Sequence, residues 1–258
     1  MELDKIEVAA NSKRSKYNSI VKQLYLIKSE LLSLRLSWKW ALIIVLVTPL
    51  STLYFLTLIF KGDKEYLTYV ITGNMVMSLV TGTMLTLGQE LGVLKQLKGF
   101  DYYAVLPLKK INLIIAYITR ATIVTVPSMI LIYFIGKIII GIDMVVHPSI
   151  ILVIIFSGFS LSSLGAAIGI YSRDADQASV ITQVVQPLII YLVPVFIPME
   201  NMPRLVNYIS YIIPTRYVAQ ALRASYTGKF DLPSISMLAI FSIISIFLIE
   251  FKMDWRRG

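Results

Sequence analysis

Side chains of the types that carry out catalysis are few in this chain. Its 258 residues include no cysteine and one histidine, His147, which excludes thiol chemistry and any site with two histidines. Ser157 and Ser160 lie among small residues, but a membrane serine protease needs its histidine on a facing helix, and His147 precedes a proline in a connecting segment. The sequence also lacks clusters of histidine and carboxylate residues within its apolar segments. We therefore expect no catalytic residue and no metal site, and an intramembrane enzyme is the weakest alternative.

Long apolar segments are the elements that must position any functional residue. Hydrophobic residues make up 57% of the chain and charged residues 15%. A bilayer core of about 30 Å needs roughly 20 apolar residues of helix, because backbone groups in lipid must bond within their own segment. The sequence predicts an all-α polytopic membrane protein with a cytoplasmic tail and interfacial helix (1–40) and a transmembrane domain (41–258) of six transmembrane helices. These predicted spans are Ala41–Phe60, Leu67–Leu87, Leu113–Ile135, Ile150–Tyr171, Val180–Ile197 and Ile235–Phe251.

The distribution of Lys and Arg indicates the orientation. Basic residues gather in alternate connections, which the positive-inside rule places in the cytoplasm. These segments are 1–40, 88–112, 172–179 and 252–258. We expect a multi-pass protein of the plasma membrane with both termini in the cytoplasm and no cleavable signal peptide. The net charge of +9 then reflects this bias and attraction to anionic membrane lipids, and nucleic acid is not an expected partner.

An amphipathic pattern precedes the first span. From Asn18 to Trp38, apolar residues recur at steps of three and four, and basic residues fall off that stripe. The pattern is typical of a helix that lies along a membrane interface. We predict such a helix, with a bend near Ser37–Lys39 where it enters the first span. Packing on a soluble domain is the alternative.

Polar residues inside the predicted spans are candidates for a transport pathway. Asn74, Gln183 and Gln186 either line such a pathway or bond a neighbouring helix. Gly165 and Gly169 form a small-xxx-small pair, which favours close packing within the protein or, as the alternative, a dimer contact.

Arg120 allows two interpretations. If the third span begins near Leu113, its guanidinium lies inside the inner leaflet as a costly charge and is a pathway candidate. If the helix begins in the cytosol and the span runs from Ala121 to about Ile140, Arg120 snorkels to the headgroups. The sequence does not decide between them.

The cytoplasmic connection 88–110 has the pattern of a docking element. Leu91, Leu94 and Leu97 recur at helical spacing after Glu90, and Gly99 then interrupts the helix. The aromatic residues that follow are Phe100, Tyr102 and Tyr103. An apolar ridge with aromatic anchors fits a groove on a partner protein. The alternative is a solvated loop whose leucines rest on the membrane.

Two groups of residues give the chain a resemblance to a known family. The first is Glu90-x-Gly92-x-Leu94-x-x-Leu97, followed by Leu106-Pro107-Leu108. The second is Pro194, the proline-flanked segment Pro198–Pro203, and then Ile213-Pro214, Tyr217 and Leu222-Arg223. In order and spacing they resemble the cytoplasmic loop and the post-span-five signature of ABC type-2 exporter permeases, and the drug-resistance permeases like those for daunorubicin most closely.

The resemblance implies a membrane subunit of an ATP-driven exporter. Two permease copies, identical or related, would enclose the pathway, and separate ABC ATPase subunits would supply the energy. The chain has no GxxxxGK[ST] phosphate-binding loop, so ATP and Mg²⁺ are expected on the partner ATPase and no cofactor on this chain. The residues expected at the ATPase contact are Glu90, Gly92, Leu94, Leu97, Phe100, Asp101, Tyr102, Arg173 and Asp174. The last two lie in a short second loop, for which a solvated turn is an equal alternative.

The connection 198–234 is predicted to form an extracellular gate. Prolines break it, and its apolar runs are too short to span yet too apolar for water, which favours short re-entrant helices in the outer leaflet. Arg216 and Arg223 are expected at lipid headgroups, with an anionic substrate as the alternative. The predicted gate residues are Pro198, Glu200, Asn201, Pro203, Leu205, Ile209 and Pro214.

The cargo implied by the resemblance is amphipathic and lipid-like or drug-like, with a lipid-linked glycan or a peptide as the alternative. A secondary transporter or a channel is the main rival function. Such proteins usually carry intramembrane charges for ion coupling, and Arg120 is the one candidate here. Purification with a bound ATPase separates an ABC permease from these rivals.

Overall fold

The computed structural model describes residues 2–60, 63–105 and 110–252, and every regular element within them is a helix. The all-α class is thereby confirmed. The predicted Leu106-Pro107-Leu108 motif and residues 253–258 lie outside the described residues. The α-helices of the described part are α1 (Glu2–Ile59), α2 (Lys64–Leu79), α3 (Thr86–Gln96), α4 (Gly99–Ala104), α5 (Lys110–Phe134), α6 (Ile150–Tyr171), α7 (Ala175–Tyr191), α8 (Arg204–Ser210), α9 (Pro214–Tyr226) and α10 (Leu232–Lys252).

The helix Lys64–Gln96 is the centre of the bundle. A π-helical turn, Val80–Leu85, joins α2 to α3 without a break, so the whole helix has 33 residues and is about 50 Å long. The Thr81 carbonyl accepts the Thr86 backbone N–H across this turn and also accepts from Thr86 Oγ1 at 2.9 Å. Most of this helix is buried, and it packs against α1, α5, α6, α7 and α9. We call the end of the bundle that carries α4 the α4 end, and the opposite end the α8 end.

Among the described residues, four helices are long and apolar enough to cross a membrane. They are Trp38–Ile59, Lys64–Gln96, Lys110–Ile139 and Ile150–Tyr171, and they correspond to the first four predicted spans. The fifth predicted span, Val180–Ile197, is wrong as a single helix, because α7 has 17 residues and ends at Tyr191. Pro194 has no N–H to continue the helix and disfavours helical backbone at the residue before it. The apolar stretch Leu232–Phe247 of α10 is shorter than the four spans. The count of six spans therefore stays a prediction.

Helix α1 continues through the position of the predicted bend. It runs for 58 residues, and its helical structure is unbroken at Ser37–Lys39. The helix follows α5, because Gln23 Nε2 donates to the Asn112 carbonyl at 3.1 Å and Ser128 Oγ donates to the Val45 carbonyl at 3.4 Å. The residue numbers of the paired residues increase together along α1 and α5, so the two helices run parallel. The predicted bend is therefore wrong, and α1 from Gln23 onward runs beside α5.

Glycines let α6 approach the central helix at backbone distance. A Cβ at Gly169 would lie 2.5 Å from the Gly88 carbonyl oxygen, and one at Gly165 would overlap the Met84 carbonyl. A Cβ at Gly88 would lie 2.6 Å from Thr182 Cγ2 on α7. Small residues permit such contact between membrane helices. The small-xxx-small pair thus packs inside the protein, as the first of the two interpretations predicts.

Candidate functional site

A cluster of three charges joins α1, α3 and α5. Arg120 on α5 donates to the Glu90 carboxylate of α3, and its Nη1 lies 3.4 Å from the Glu30 Oε2 of α1. The same nitrogen donates to Ser33 Oγ at 3.3 Å, and the guanidinium lies over the Tyr117 ring. The side chains of Arg120 and Glu30 are 12% and 11% exposed, whereas that of Glu90 is 36% exposed. One guanidinium therefore connects three helices.

The contacts of Arg120 contradict both interpretations of this residue. Its charge is paired with two carboxylates, so it is neither an unpaired intramembrane charge nor a headgroup anchor. Burial raises the pKa of the Glu30 carboxyl above its ordinary value, and the Arg120 guanidinium acts against that rise. Two carboxyl groups thus share one guanidinium. Sequence reasoning missed the pairing, because both partners are far from Arg120 along the chain.

The end of α3 is fixed to the turn between α6 and α7. Lys95 Nζ donates to the carbonyl oxygens of Ile170 and Ser172 at 2.9 and 2.7 Å, so a cation caps the last turn of α6. The backbone N–H of Ala175 donates to Gln96 Oε1 at 3.2 Å. These bonds hold the α3 end against the start of α7.

The residues predicted for the ATPase contact divide into packed and exposed groups. Gly92 is buried, and a Cβ there would lie 2.5 Å from the Ala178 Cβ of α7. Leu94 and Phe100 are partly buried in a cluster with Leu113 and Ile114 of α5. Together with Glu90 in the ion cluster, these residues stabilise the α4 end. Their role in an ATPase contact stays a prediction.

The exposed group lies on and around α4. Leu97 and Tyr102 are 75% and 66% exposed, and Asp101 is also exposed. Val105, which sequence reasoning did not select, is 81% exposed at the end of α4. Lys98 adopts a left-handed backbone conformation with φ of 54°, which turns the chain from α3 into α4. We name Leu97, Tyr102 and Val105 the α4 surface.

Arg173 and Asp174 lie exposed in the turn between α6 and α7. Asp174 Oδ1 accepts from the Gln177 N–H at 2.8 Å and caps α7, and the Arg173 N–H donates to Gln177 Oε1 at 2.7 Å. This turn lies beside the α3 end through the Gln96 bond described above. Its capping bonds are those of an ordered turn.

The predicted pathway residues are not brought together. Asn74 is fully buried, and its amide donates to the Val70 carbonyl of its own helix at 2.7 Å. Gln186 donates to Thr81 Oγ1 at 2.7 Å and links α7 to the central helix. Gln183 is exposed and bonds a serine on its own helix. Gln186 thus forms the inter-helix bond that was the alternative to a pathway role.

At the α8 end, Arg223 satisfies irregular backbone. Residues 192–198 leave helical structure, and Val193 to Phe196 are buried. Arg223 Nη2 donates to the carbonyl oxygens of Pro194 and Val195 at 3.0 and 2.6 Å, and its guanidinium lies 3.9 Å from the Tyr69 ring centroid. Buried non-helical backbone is tolerated at membrane depth only where such partners exist.

Arg216 is buried as well. Its Nη1 donates to Asn207 Oδ1 at 2.8 Å and to Ser210 Oγ, and the guanidinium lies 3.7 Å from the Tyr211 ring centroid. The headgroup role expected for Arg216 and Arg223 is therefore wrong, because protein groups on α2, α8 and the 192–198 segment hold them.

The predicted gate residues lie around α8. Pro198 and Pro214 are buried, while Glu200, Asn201, Pro203, Leu205 and Ile209 are exposed. Asn201 Nδ2 donates to the Tyr66 hydroxyl at 2.7 Å, so this loop contacts the first turn of α2. Helix α9 packs inside the bundle against α2, α6 and α10, whereas α8 lies on its surface.

The chain was then compared with known protein families. The model of the family described as ABC-2 type transporter matches residues 23–227, which is well over half of the chain. The chain belongs to the ABC-2 type transporter family. A comparison with curated proteins gave no match. Membership of this family confirms the resemblance and makes the chain a membrane protein of ABC transport.

Proposed function

We propose that this ABC-2 family member is the permease subunit of an ATP-driven exporter and that separate ATPase subunits bind its α4 surface. The observation that carries this proposal is the α4 surface itself. Leu97 at the C-terminus of α3, Tyr102 on α4 and Val105 directly after α4 expose apolar and aromatic surface at the end of the long, buried central helix. Apolar and aromatic anchors of this kind are typical of the centre of a protein–protein contact.

The structure beneath the α4 surface is suited to transmit a displacement. The central helix runs unbroken from α4 to the α8 end, and Lys95, Gln96 and Gly92 hold it to α6 and α7. The ion cluster adds α1 and α5. A partner that moves α4 would therefore move several helices together, because packed elements transmit rigid-body shifts.

Helix lengths support a cytoplasmic stalk at the α4 end. The helices Lys64–Gln96 and Lys110–Ile139 have 33 and 30 residues, about 50 and 45 Å, and a bilayer core is about 30 Å thick. The excess length, together with the Lys and Arg bias, favours an α4 end that projects into the cytoplasm. We propose that the protein lies in the plasma membrane, with the N-terminal part of α1 in this stalk and both termini inside.

The α8 end is then the extracellular exit. Leu205 and Tyr208 on α8 are 70% and 74% exposed, and Ile212 beyond it is 77% exposed. Such a patch needs cover from lipid or protein. We propose that α8 lies in the outer leaflet and that a second permease copy, identical or related, meets this one around the exit. The cargo class that fits this arrangement is an amphipathic molecule that leaves one leaflet for the other side.

Site-specific photocrosslinking tests the proposal. A photoreactive phenylalanine at Tyr102 should capture a polypeptide that mass spectrometry identifies as an ABC ATPase with its own phosphate-binding loop. The matched control is the same residue at Tyr54, which is 70% exposed on the apolar helix Trp38–Ile59 and should capture no ATPase. Crosslinks from Tyr102 to lipid alone would mean that α4 rests on the membrane, and the proposal would fail.

A further inference from the structure

A cavity lies beside the ion cluster, between α1, the central helix and α5. Its volume is about 200 Å³. Its walls are formed by Leu34, Trp40, Ile44 and Val45 of α1, Gly82, Thr86 and Glu90 of the central helix, and Arg120, Ala121 and Val124 of α5. Trp40 and Ile44 are 70% and 55% exposed, so the α1 wall opens to the surroundings of the bundle. Both residues belong to the candidate span Trp38–Ile59, and the opening therefore faces lipid.

The polarity of the cavity changes along the helix axes. Glu90 and Arg120 lie at its α4 end, and Gly82 and Val124 lie further towards the membrane centre. Glu90 and Gly82 are eight residues apart on one helix, which corresponds to about 12 Å. Trp40 lies at the opening, and tryptophan is the residue that favours the membrane–water interface. The cavity thus has a charged head and an apolar body, in the orientation of a lipid in the inner leaflet.

The charged end has room for one more cation. Glu30 and Glu90 share the single guanidinium of Arg120, so two carboxyl groups face one positive charge. The Glu90 side chain is 36% exposed, and within the described residues Arg120 bonds only its Oε2 atom. Its Oε1 atom remains available to a donor in the cavity. The indole of Trp40 offers an additional face for a cation.

From these observations we infer that the cavity binds an amphiphile with a cationic head group. The head, an amine or a quaternary ammonium, lies at the Glu90 carboxyl group and pairs with it. The apolar body follows Thr86, Gly82 and Val124 and leaves past Ile44 into the lipid. An anionic head is disfavoured because it would lie against the carboxyl oxygens of Glu90, with Glu30 nearby.

The role of the site in transport rests on the proposed function, but the binding itself does not. If the chain is an exporter permease, this cavity is where cargo of this class leaves the inner leaflet. The ligand contacts the ion cluster that joins α1, α3 and α5. Its binding would therefore affect the position of the central helix, which α4 follows in the chain. The test below uses the permease without an ATPase, so its result does not depend on the coupling proposal.

The test compares two photoreactive probes of equal length. The full chain is purified into nanodiscs of phosphatidylglycerol and labelled with an alkylamine or an alkyl carboxylate that carries a diazirine midway along the chain. Labelling of the cavity peptides is normalised to labelling of the lipid-facing residues 54–59. We expect the amine to label the cavity peptides at least about tenfold more than the carboxylate.

Two substitutions on α5 make the test specific to the site. Val124→Phe fills the cavity and should lower labelling by the amine about tenfold. Ile123→Phe places the same aromatic side chain at a position that is 44% exposed and outside the cavity, and it should leave labelling unchanged. Glu90→Gln should reduce the preference for the amine without blocking access. Equal labelling by both probes, unchanged labelling of Val124→Phe, or no labelling of the cavity at all would each overturn the proposal.

A second arm distinguishes the source of the cationic head. Phosphatidylethanolamine replaces part of the phosphatidylglycerol in the nanodisc. If it suppresses labelling by the amine, the occupant is a membrane lipid with an amine head group. If labelling persists, the site takes a free amphiphile in preference to the lipid. Both results support a cationic head group and assign it to one of the two sources.

Discussion

The guanidinium of Arg120 on α5 donates to the carboxylate of Glu90 on α3, although Glu90 lies in the predicted cytoplasmic connection and Arg120 in the predicted third span. The same guanidinium lies beside Glu30 of α1. A single side chain thereby holds together the three helices that would form the cytoplasmic stalk. The position where the bundle meets its proposed partner is thus fixed by charge as well as by apolar packing.

Removal of Arg120 should destabilise the protein. Arg120→Gln leaves the buried Glu30 carboxyl and the partly exposed Glu90 carboxyl without a counter-charge, and we expect a loss of about 3 kcal/mol in the free energy of unfolding. Glu90→Gln should cost less than about 1 kcal/mol, because Arg120 keeps Glu30 and Glu90 is partly exposed. Chemical unfolding in detergent micelles measures both. Lys229→Gln, at an exposed residue, is the control. A loss for Arg120→Gln no larger than that of the control would contradict the role of the cluster.

The approach of α6 to the central helix should not tolerate a side chain at Gly165. A Cβ there would overlap the Met84 carbonyl, so Gly165→Val must push the two helices apart. We expect a loss of about 3 kcal/mol or a failure to accumulate in the membrane. Ala167→Val adds bulk at a half-buried position two residues along the same helix and should cost about 1 kcal/mol or less. Equal unfolding midpoints for the two variants would refute tight packing at Gly165.

Loss of Arg223 should open the irregular segment 192–198. Arg223→Ala leaves the buried carbonyls of Pro194 and Val195 without a donor, which costs about 2 kcal/mol. Hydrogen exchange at the amides of Val195 and Phe196 should accelerate at least about tenfold. Arg204→Ala, at an exposed residue that begins α8, should leave these amides unchanged. Unaltered exchange in Arg223→Ala would show that the segment does not depend on this side chain.

The apolar surface of α8 should be covered in the membrane. Leu205 is 70% exposed on the isolated chain, so lipid or a second copy must cover it if α8 lies in the outer leaflet. In this cysteine-free protein, Leu205→Cys should react with a membrane-impermeant thiol reagent at least about tenfold more slowly than Glu200→Cys. The measurement is made in nanodiscs. Similar rates at both positions would identify α8 as a water-exposed surface helix.

Apolar runs made much of the fold predictable. The four described helices that could cross a membrane are continuous apolar segments, and their length and composition together separate them from surface helices. The fifth span was misplaced, because Pro194 ends the helix inside an apolar run whose hydropathy continues without change. The bend near Ser37 was wrong for a related reason. The pattern changes there from amphipathic to apolar because the surroundings of the helix change. The backbone of α1 stays helical on both sides of that point.

The candidate site was predictable only in part. Glycines and aromatic residues mark the end of α3 and the start of α4, so the exposed Leu97 and Tyr102 were found from local pattern. The support of that surface was not, because the bonds of Arg120 to Glu30 and of Lys95 to the end of α6 join residues far apart in the chain. Arg216 and Arg223 looked like headgroup anchors because positive charges near apolar runs usually are. The sequence did not predict the irregular backbone at 192–198, whose carbonyl groups Arg223 bonds.

The affinity of the ATPase subunit for the α4 surface tests the central claim most directly. The measurement is the Kd between the permease in nanodiscs and the ATPase captured from Tyr102. Leu97→Ala combined with Tyr102→Ala should raise this Kd at least about tenfold, because exposed apolar and aromatic anchors dominate such contacts. Tyr54→Ala, an equally exposed aromatic residue on the lipid-facing part of α1, should leave it unchanged. A Kd for the double variant equal to that of the wild type would contradict the proposal that α4 couples this permease to its ATPase.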